Sequence, residues 1–172
     1  MSNCPRNLRD GLVVLQDGTP STPKQLIIPV MDGNLSFTEH RPKAMVSNRG
    51  KLYSKRSGNE MEVDLSFEVT FTQWGFANGA TGISVPDALN QRNGASDWVS
   101  ADPSACNVYA VNVLFQIADP EDGTKAELLT FNKVSHENIK FQEGDPNKLT
   151  FTGKSFTTTV VRTYGTKTYA FP

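Results

Sequence analysis

The sequence predicts a mainly β chain: an antiparallel β-sandwich or barrel-like domain with one short flanking α-helix at about 84–93 and a long loop at about 39–59. Three observations carry this. Residues 60–72 (EMEVDLSFEVTFT) alternate without a break, with Met61, Val63, Leu65, Phe67, Val69 and Phe71 on one side and charged or hydroxyl residues on the other. Such a period of two demands one buried and one wet face. Ten Phe, four Tyr and 16 Thr suit a pleated, half-buried surface. Thirteen Gly and ten Pro supply turns, while helical spacing of apolar residues is nearly absent.

The elements follow in order. GLVVLQ at 11–16 and QLIIPVM at 25–31 read as strands around the turn-rich stretch DGTPSTPK. NLSFT at 34–38 follows Asp32-Gly33, a hairpin-type dipeptide. The 60–72 strand would span roughly 40 Å at about 3.3 Å per residue. Ser84-Val85-Pro86-Asp87 places a capping residue and an early proline ahead of ALNQRN, with Gly94 expected to close a helix of two to three turns. Too short to stand alone, that helix must pack on a sheet. In 108–117, Tyr109, Val111, Val113, Phe115 and Ile117 share a face, and the opposite face is apolar enough to predict burial on both sides. DPEDG at 119–123 turns the chain into strands at 125–134 and 139–141, and 148–151 leads to a Thr-rich end at 155–162. With no internal repeat or composition break, residues 1–172 read as a single domain, with 1–9 a flexible N-terminus and 39–59 an extended basic loop.

Charge and composition exclude several function classes. Lys+Arg 17 against Asp+Glu 18 gives a net charge of -1, so no bulk field recruits nucleic acid or an acidic membrane. Two Cys and two His cannot build a disulfide scaffold or a four-ligand zinc site by themselves. No apolar run approaches the roughly 20 residues of a membrane span, and MSNCPRNLRDG lacks a signal-peptide core. A soluble protein made in the cytosol, without metal or other cofactor, is the expectation.

The even charge balance hides a local asymmetry. Between His40 and Asn59 there is no acidic residue, yet Arg41, Lys43, Arg49, Lys51, Lys55 and Arg56 all fall there. This stretch reads as a long excursion between two strands, with a hairpin that uses Lys51-Leu52-Tyr53 as a weak strand the alternative; at about 20 residues it is longer than a compact domain keeps without a use. Glu60, Glu62, Asp64 and Glu68 follow on the polar side of the long strand, and acid collects again at Asp119, Glu121 and Asp122 and at Glu137, Glu143 and Asp145. Like charges on one strand face repel unless they meet water or cations. The pairing of basic loop and acidic surface suits a protein that binds copies of itself.

A search for catalytic chemistry returns nothing. His40 and His136 sit in charged contexts typical of surface residues, Cys4 lies in the terminus, and Cys106 has no activating neighbour in sequence. No phosphate-binding, dinucleotide, zincin or nucleophile-elbow motif occurs. The carboxylates sharing a face at Glu60, Glu62 and Asp64 are explained by strand alternation. Trp74 and Trp98 flank the helix; packing it onto the sheet is the simplest role for such large apolar groups, with sugar stacking the alternative. The protein is therefore read as a non-enzyme.

Longer patterns resemble the tail tube proteins of long-tailed bacteriophages. Asp32-Gly33, Leu35 and Phe37 match a D-G-x-L-x-F strand ahead of a long loop with an Arg-Gly step at Arg49-Gly50. Gly58, Val63, Ser66, Phe67 and Phe71 match the strand that follows. Pro120 and Gly123 match an acidic P-x-x-G turn, and FQEGDPNKL at 141–149 matches the turn into the last strand pair. Together these cover about residues 31–155. The resemblance implies a β-sandwich that forms stacked, usually hexameric, rings: a virion tail tube, assembled in the host cytoplasm, through which DNA passes without sequence-specific binding. It implies inner-sheet strands closing a barrel between subunits, an inter-ring loop and an acidic lumen. The candidates are Arg41, Lys43, Arg49, Lys51, Lys55 and Arg56 for the loop, and Glu121, Asp122, Glu143 and Asp145 for its receiving surface. Glu62, Asp64 and Glu68 are the candidates for the lumen. Implied partners are further copies of the chain and other tail proteins (tape measure, terminator, tip), and no membrane. The alternatives are a tail terminator or tail-tip ring protein, and a carbohydrate-binding β-sandwich.

Overall fold

The structure, a computed structural model, describes residues 11–29, 34–71, 83–104, 108–144 and 147–169. In chain order the strands are β1 (Gly11–Gln16), β2 (Gln25–Pro29), β3 (Asn34–Thr38), β4 (Lys43–Asn48), β5 (Lys51–Ser57) and β6 (Val63–Phe71), followed by helix α1 (Val85–Asn90) and a 3₁₀ turn at Asn93–Ala95. Strands β7 (Val111–Ala118), β8 (Lys125–Gln142), β9 (Asn147–Ser155) and β10 (Val161–Thr166) complete the fold.

All pairings are antiparallel, in the order β2-β1-β7-β8-β9-β6-β3, with β10 also on β8. The 18-residue β8 serves two layers. Its first half lies between β7 and β10, and its second half pairs β9 over Val134–Gln142. Register shifts occur between Val111 and Val113 and between His136 and Asn138, and Lys133 carries a φ of 52°. Such bulges bend a strand and raise its twist. One layer is thus β2-β1-β7-β8-β10, the other β8-β9-β6-β3: a sandwich-like arrangement rather than a closed barrel.

Between them lies one continuous core. The alternation of β6 is realised as read: Val63, Leu65, Phe67 and Val69 are at most 2% exposed. Phe67 stacks on Phe151 of β9 with centroids 4.6 Å apart, and Phe37 of β3 meets Phe131 of β8 edge-on at 5.4 Å. Val13, Leu26 and Phe115 join them from the other layer. Strand β6 is nine residues rather than the 13 of the alternating run, about 30 Å. Ahead of it Met61 is exposed, and Thr72 lies outside the described residues. Burial of β7 on both faces is also observed, since Leu12, Val14, Leu114 and Tyr169 form a second cluster on the layer's outer side.

Helix α1 corrects the 84–93 expectation. Ser84 caps it as read, accepting from Asp87 N at 3.2 Å, and Pro86 sits in the first turn. It ends at Gln91, whose left-handed φ of 52° closes it, and Gly94 falls inside the separate 3₁₀ turn. Asp87 forces this early stop: its Oδ1 accepts from Arg92 Nε at 3.1 Å and Asn93 Nδ2 at 2.7 Å, folding the next residues back over the helix. Val85, Ala88, Leu89 and Trp98 carry the helix onto the core, so Trp98 packs the helix as expected. Trp74 lies outside the described residues.

Candidate assembly surfaces

Residues 39–59 are not a loop but a β-hairpin. Strands β4 and β5 pair with each other in a two-stranded sheet apart from the main one. The turn is Asn48-Arg49-Gly50-Lys51 with φ of 49° at Arg49 and 79° at Gly50. Positive φ at both central residues is the tight turn that matches strand twist. A bulge interrupts the ladder after Val46. Lys43, Arg49, Lys51, Lys55 and Arg56 are exposed, as are Met45 at 67% and Val46 at 37%. Arg41 at the root pairs with Glu39 at 3.5 Å. The side chain of Tyr53 lies outside the described residues.

The root of this arm is fastened to the body at two places and closed on itself at a third. Glu39 Oε1 accepts from Val160 N at 2.8 Å. His40 Nε2 donates to Asp64 Oδ2 at 2.7 Å. Gly58 N donates to Pro42 O at 2.8 Å, closing the base of the hairpin.

The outward side of the β8-β9-β6-β3 layer is polar across its width. Asp64, Ser66 and Glu68 of β6 pair in register with Lys154, Thr152 and Thr150 of β9, and with Thr38, Ser36 and Asn34 of β3. The acid there is answered within the chain. Lys148 Nζ reaches Glu68 at 2.8 Å, and Lys154 Nζ lies 3.4 Å from Glu137 and 4.0 Å from Glu62. Glu137 and neighbouring carboxylates hold the Lys154 ammonium above its ordinary pKa. The expected acidic face is therefore mixed: Glu62, Asp64, Glu68 and Glu137 interleave with Lys148 and Lys154. Sequence reading placed the carboxylates on one face but missed the lysines, because strand pairing sets which strand lies beside β6.

Of the four proposed receiving residues, the three described ones lie at opposite ends of β8. Glu121 and Asp122 lie in the turn before β8, whereas Glu143 follows its far end, and Asp145 is outside the described residues. Asp122 is also engaged locally. The Thr124 hydroxyl, Lys125 at 3.1 Å and the Thr124 N–H lower its carboxyl to about 2. Glu143 is exposed.

Strand edges are the remaining feature. Among the described residues β2, β3 and β10 are each paired on one side only, by β1, β6 and β8, and β8 beyond His136 only by β9. Beside that β8 edge a groove of about 420 Å³ is lined by Pro86, Asn90, Arg92, His136, Ile139 and Phe141 among others. Burial pushes the His136 imidazole below its ordinary pKa, opposed by a bond to the Leu89 backbone. His40 instead faces Asp64. Cys4 and Cys106 lie outside the described residues. No three His, Cys, Asp or Glu side chains group as a metal would need among the described residues. No described helix is long and apolar enough to cross a membrane.

This fold is shared with chains of an extracellular contractile injection system and of an anti-feeding prophage. The chain aligns over 95% of its length with 99% of a chain from the cryo-EM structure of an extracellular contractile injection system, PVC sheath/tube terminator in extended state, at a TM-score of 0.59 and 10% identity. It also aligns over 94% of its length with 93% of a chain from the PVC sheath-tube complex in extended state, at 0.55 and 9%. A chain of the anti-feeding prophage tube-terminating cap matches over 97% of this chain and 95% of its own, at 0.51 and 8%. No protein-family model and no curated protein matches the sequence. At these identities the likeness is one of fold.

Proposed function

We propose that this protein is a structural subunit of a phage-type tail, assembling into stacked rings, hexameric by the resemblance of its sequence, that form the tail tube. The observation that carries this reading is the shared fold, end to end, with chains of tube, terminator and cap assemblies. Strands paired on one side only, β3 and the end of β8 in one layer and β2 and β10 in the other, give each copy different edges to offer its neighbours, the heterologous contact that closes rings. Joining such edges also removes a template for unwanted pairing. In this reading the β8-β9-β6-β3 face lines the lumen, with Glu62, Asp64 and Glu68 toward the channel. Lys148 and Lys154 offset part of the charge of Glu62, Asp64, Glu68 and Glu137, leaving a hydrated, mildly acidic surface that DNA phosphates do not bind. The arm carrying Lys43, Arg49, Lys51, Lys55 and Arg56 reaches the adjacent ring, with Glu143 as the acidic receiver favoured among Glu121, Asp122, Glu143 and Asp145. Tape-measure, terminator and tip proteins are the other partners, in a virion tail assembled in the host cytoplasm. No catalytic step and no cofactor enters this role.

A terminator or tip ring is the second reading, favoured by the alignment with the sheath/tube terminator structure. The carbohydrate-binding alternative loses one of its two stacking candidates, because Trp98 is only 2% exposed. Electron microscopy of the purified protein tests all three. Tubes of open length support the tube role, discrete rings the terminator or tip role, and monomers at high concentration overturn both.

A further inference from the structure

We infer that Glu39 and His40 form a two-point latch that fixes the aim of the β4–β5 arm, so that the arm meets its partner as a pre-shaped element rather than by ordering on contact. The argument starts from what the arm lacks. A two-stranded hairpin is marginal alone in water, and this one belongs to neither main layer. Its side chains are exposed along β4 and its tip. The described side chains of the arm therefore do not set its direction by packing, and the bonds that reach the body lie at its root.

Two consecutive residues there bond in two different directions. Glu39 bonds the backbone of Val160, just ahead of β10, at 2.8 Å. His40 bonds Asp64, on β6, at 2.7 Å. Val160 and Asp64 belong to different layers, so the exit from β3 is held between both. Across the base Gly58 seats on Pro42, where an added Cβ would fall 3.1 Å from the Pro42 backbone. Two anchors in different directions restrict swing about either one. The groups around the His40–Asp64 pair are Glu62 ahead of β6, Lys154 of β9, Glu137 of β8, and Glu39 with Arg41 on the connection itself. In this assignment Asp64 is a positioning residue as well as a candidate lumen residue. The part that concerns assembly rests on the tail-tube reading; the part that concerns the arm does not.

The test is hydrogen–deuterium exchange of residues 43–57 in the isolated subunit, followed by assembly assays on the same variants. His40→Ala and Asp64→Ala are each expected to speed exchange in the arm by about five- to tenfold, the scale of one partly exposed charged hydrogen bond. The double variant should add little, because both changes remove one contact. His40→Gln keeps a donor and should restore most of the protection. Glu68→Gln, which alters the same sheet face away from the root, should leave the arm unchanged. Exchange that stays unchanged in His40→Ala, or that rises equally in β6 and β7, would overturn the latch. Faster arm exchange with undiminished growth of rings or tubes would overturn the need for a fixed aim. If no variant or parent assembles, the tail-tube reading fails, while the exchange data still judge the latch.

Discussion

Gln116 holds Tyr169 by both ends of its backbone. The Gln116 amide oxygen accepts from Tyr169 N at 3.0 Å, and its Nε2 donates to Tyr169 O at 2.8 Å, at a site where Gln116 is 1% exposed. Thr168 N adds a third bond at 3.0 Å, and Gln16 Nε2 meets the Tyr169 hydroxyl at 2.6 Å. This fastens the residues after β10 to the outer side of the β1–β7 layer, where Tyr169 packs on Leu12, Val14 and Leu114.

Gln116→Ala would leave the Tyr169 N–H and C=O buried without partners. A buried group so stranded costs about 1–3 kcal/mol, so the variant is expected to lose about 2–4 kcal/mol. In a chain of this size that is a melting point lower by about 4–16 °C. A melt within two degrees of the parent would mean that water replaces the amide.

Asp17 ties the β1–β2 turn to the segment after the 3₁₀ turn. Its carboxylate accepts from Lys24 N at 2.7 Å, Thr19 N at 3.2 Å and Val99 N at 3.2 Å, and from the Thr19 hydroxyl. Burial works against its charge, but the Thr19 hydroxyl and the Val99, Thr19 and Lys24 N–H groups outweigh it and hold the pKa below 3.8. A folded pKa below the unfolded one gives stability that is fully present above the unfolded value and is lost as pH falls toward the folded value. Asp17→Asn should therefore lower stability at pH 7 and flatten the acid limb below about pH 5. Denaturation midpoints of the two proteins between pH 3 and pH 7 check this; parallel curves would remove Asp17 from the account.

Gly153 on β9 has no room for a side chain. A Cβ there would stand 2.5 Å from Ser135 O and 2.8 Å from the Phe151 ring, the ring that stacks on Phe67. Gly153→Ala must push β9 away from β8 or turn Phe151 out of its stack. Overpacking of this kind costs about 1–3 kcal/mol. A thermal melt equal to the parent would show that β9 yields freely there.

What was legible in the sequence was what one strand dictates by itself. Alternation in 63–71 gives both the strand and its faces, and the Ser84-Val85-Pro86-Asp87 start of α1 is read from its capping residue. Strand β8 escaped as a unit, read as 125–134 and 139–141, because its bulge near His136 breaks the period of two. The hairpin was legible only as an alternative to a loop, with Lys51-Leu52-Tyr53 as its weak strand, because like charges along 41–56 mask the alternation that runs on to Ser57. Helix α1 ends early through side chains of Asp87, Arg92 and Asn93 that no helical propensity records. The lysines facing Glu68 and Glu62 were invisible because pairing of β6 with β9 crosses about 80 residues of chain.

The last expectation concerns the arm and its receiver. The root of the arm lies at the Val63 and Ser155 end of the β8-β9-β6-β3 layer, and Glu143 follows Gln142 at the other end of that layer. Copies stacked end to end along those strands would bring the cations of one arm to the β8–β9 turn of the next. Among the acidic candidates Glu143 fits best, since Asp122 is already engaged by Thr124 and Lys125. Arg49→Glu with Lys51→Glu puts like charges at this contact, where each exposed pair is worth about 0.2–1 kcal/mol. Repeated around a ring, that is expected to slow tube growth at low salt by tenfold or more, and the defect should shrink as salt rises and the Debye length falls below about 10 Å. Glu143→Lys in the reversed background should restore growth, because it returns an opposite charge without altering the arm. Growth of the reversed variant at the parental rate in low salt would show that the arm's cations do not join the rings; reversal that slows growth but is not restored by Glu143→Lys would place the receiver elsewhere.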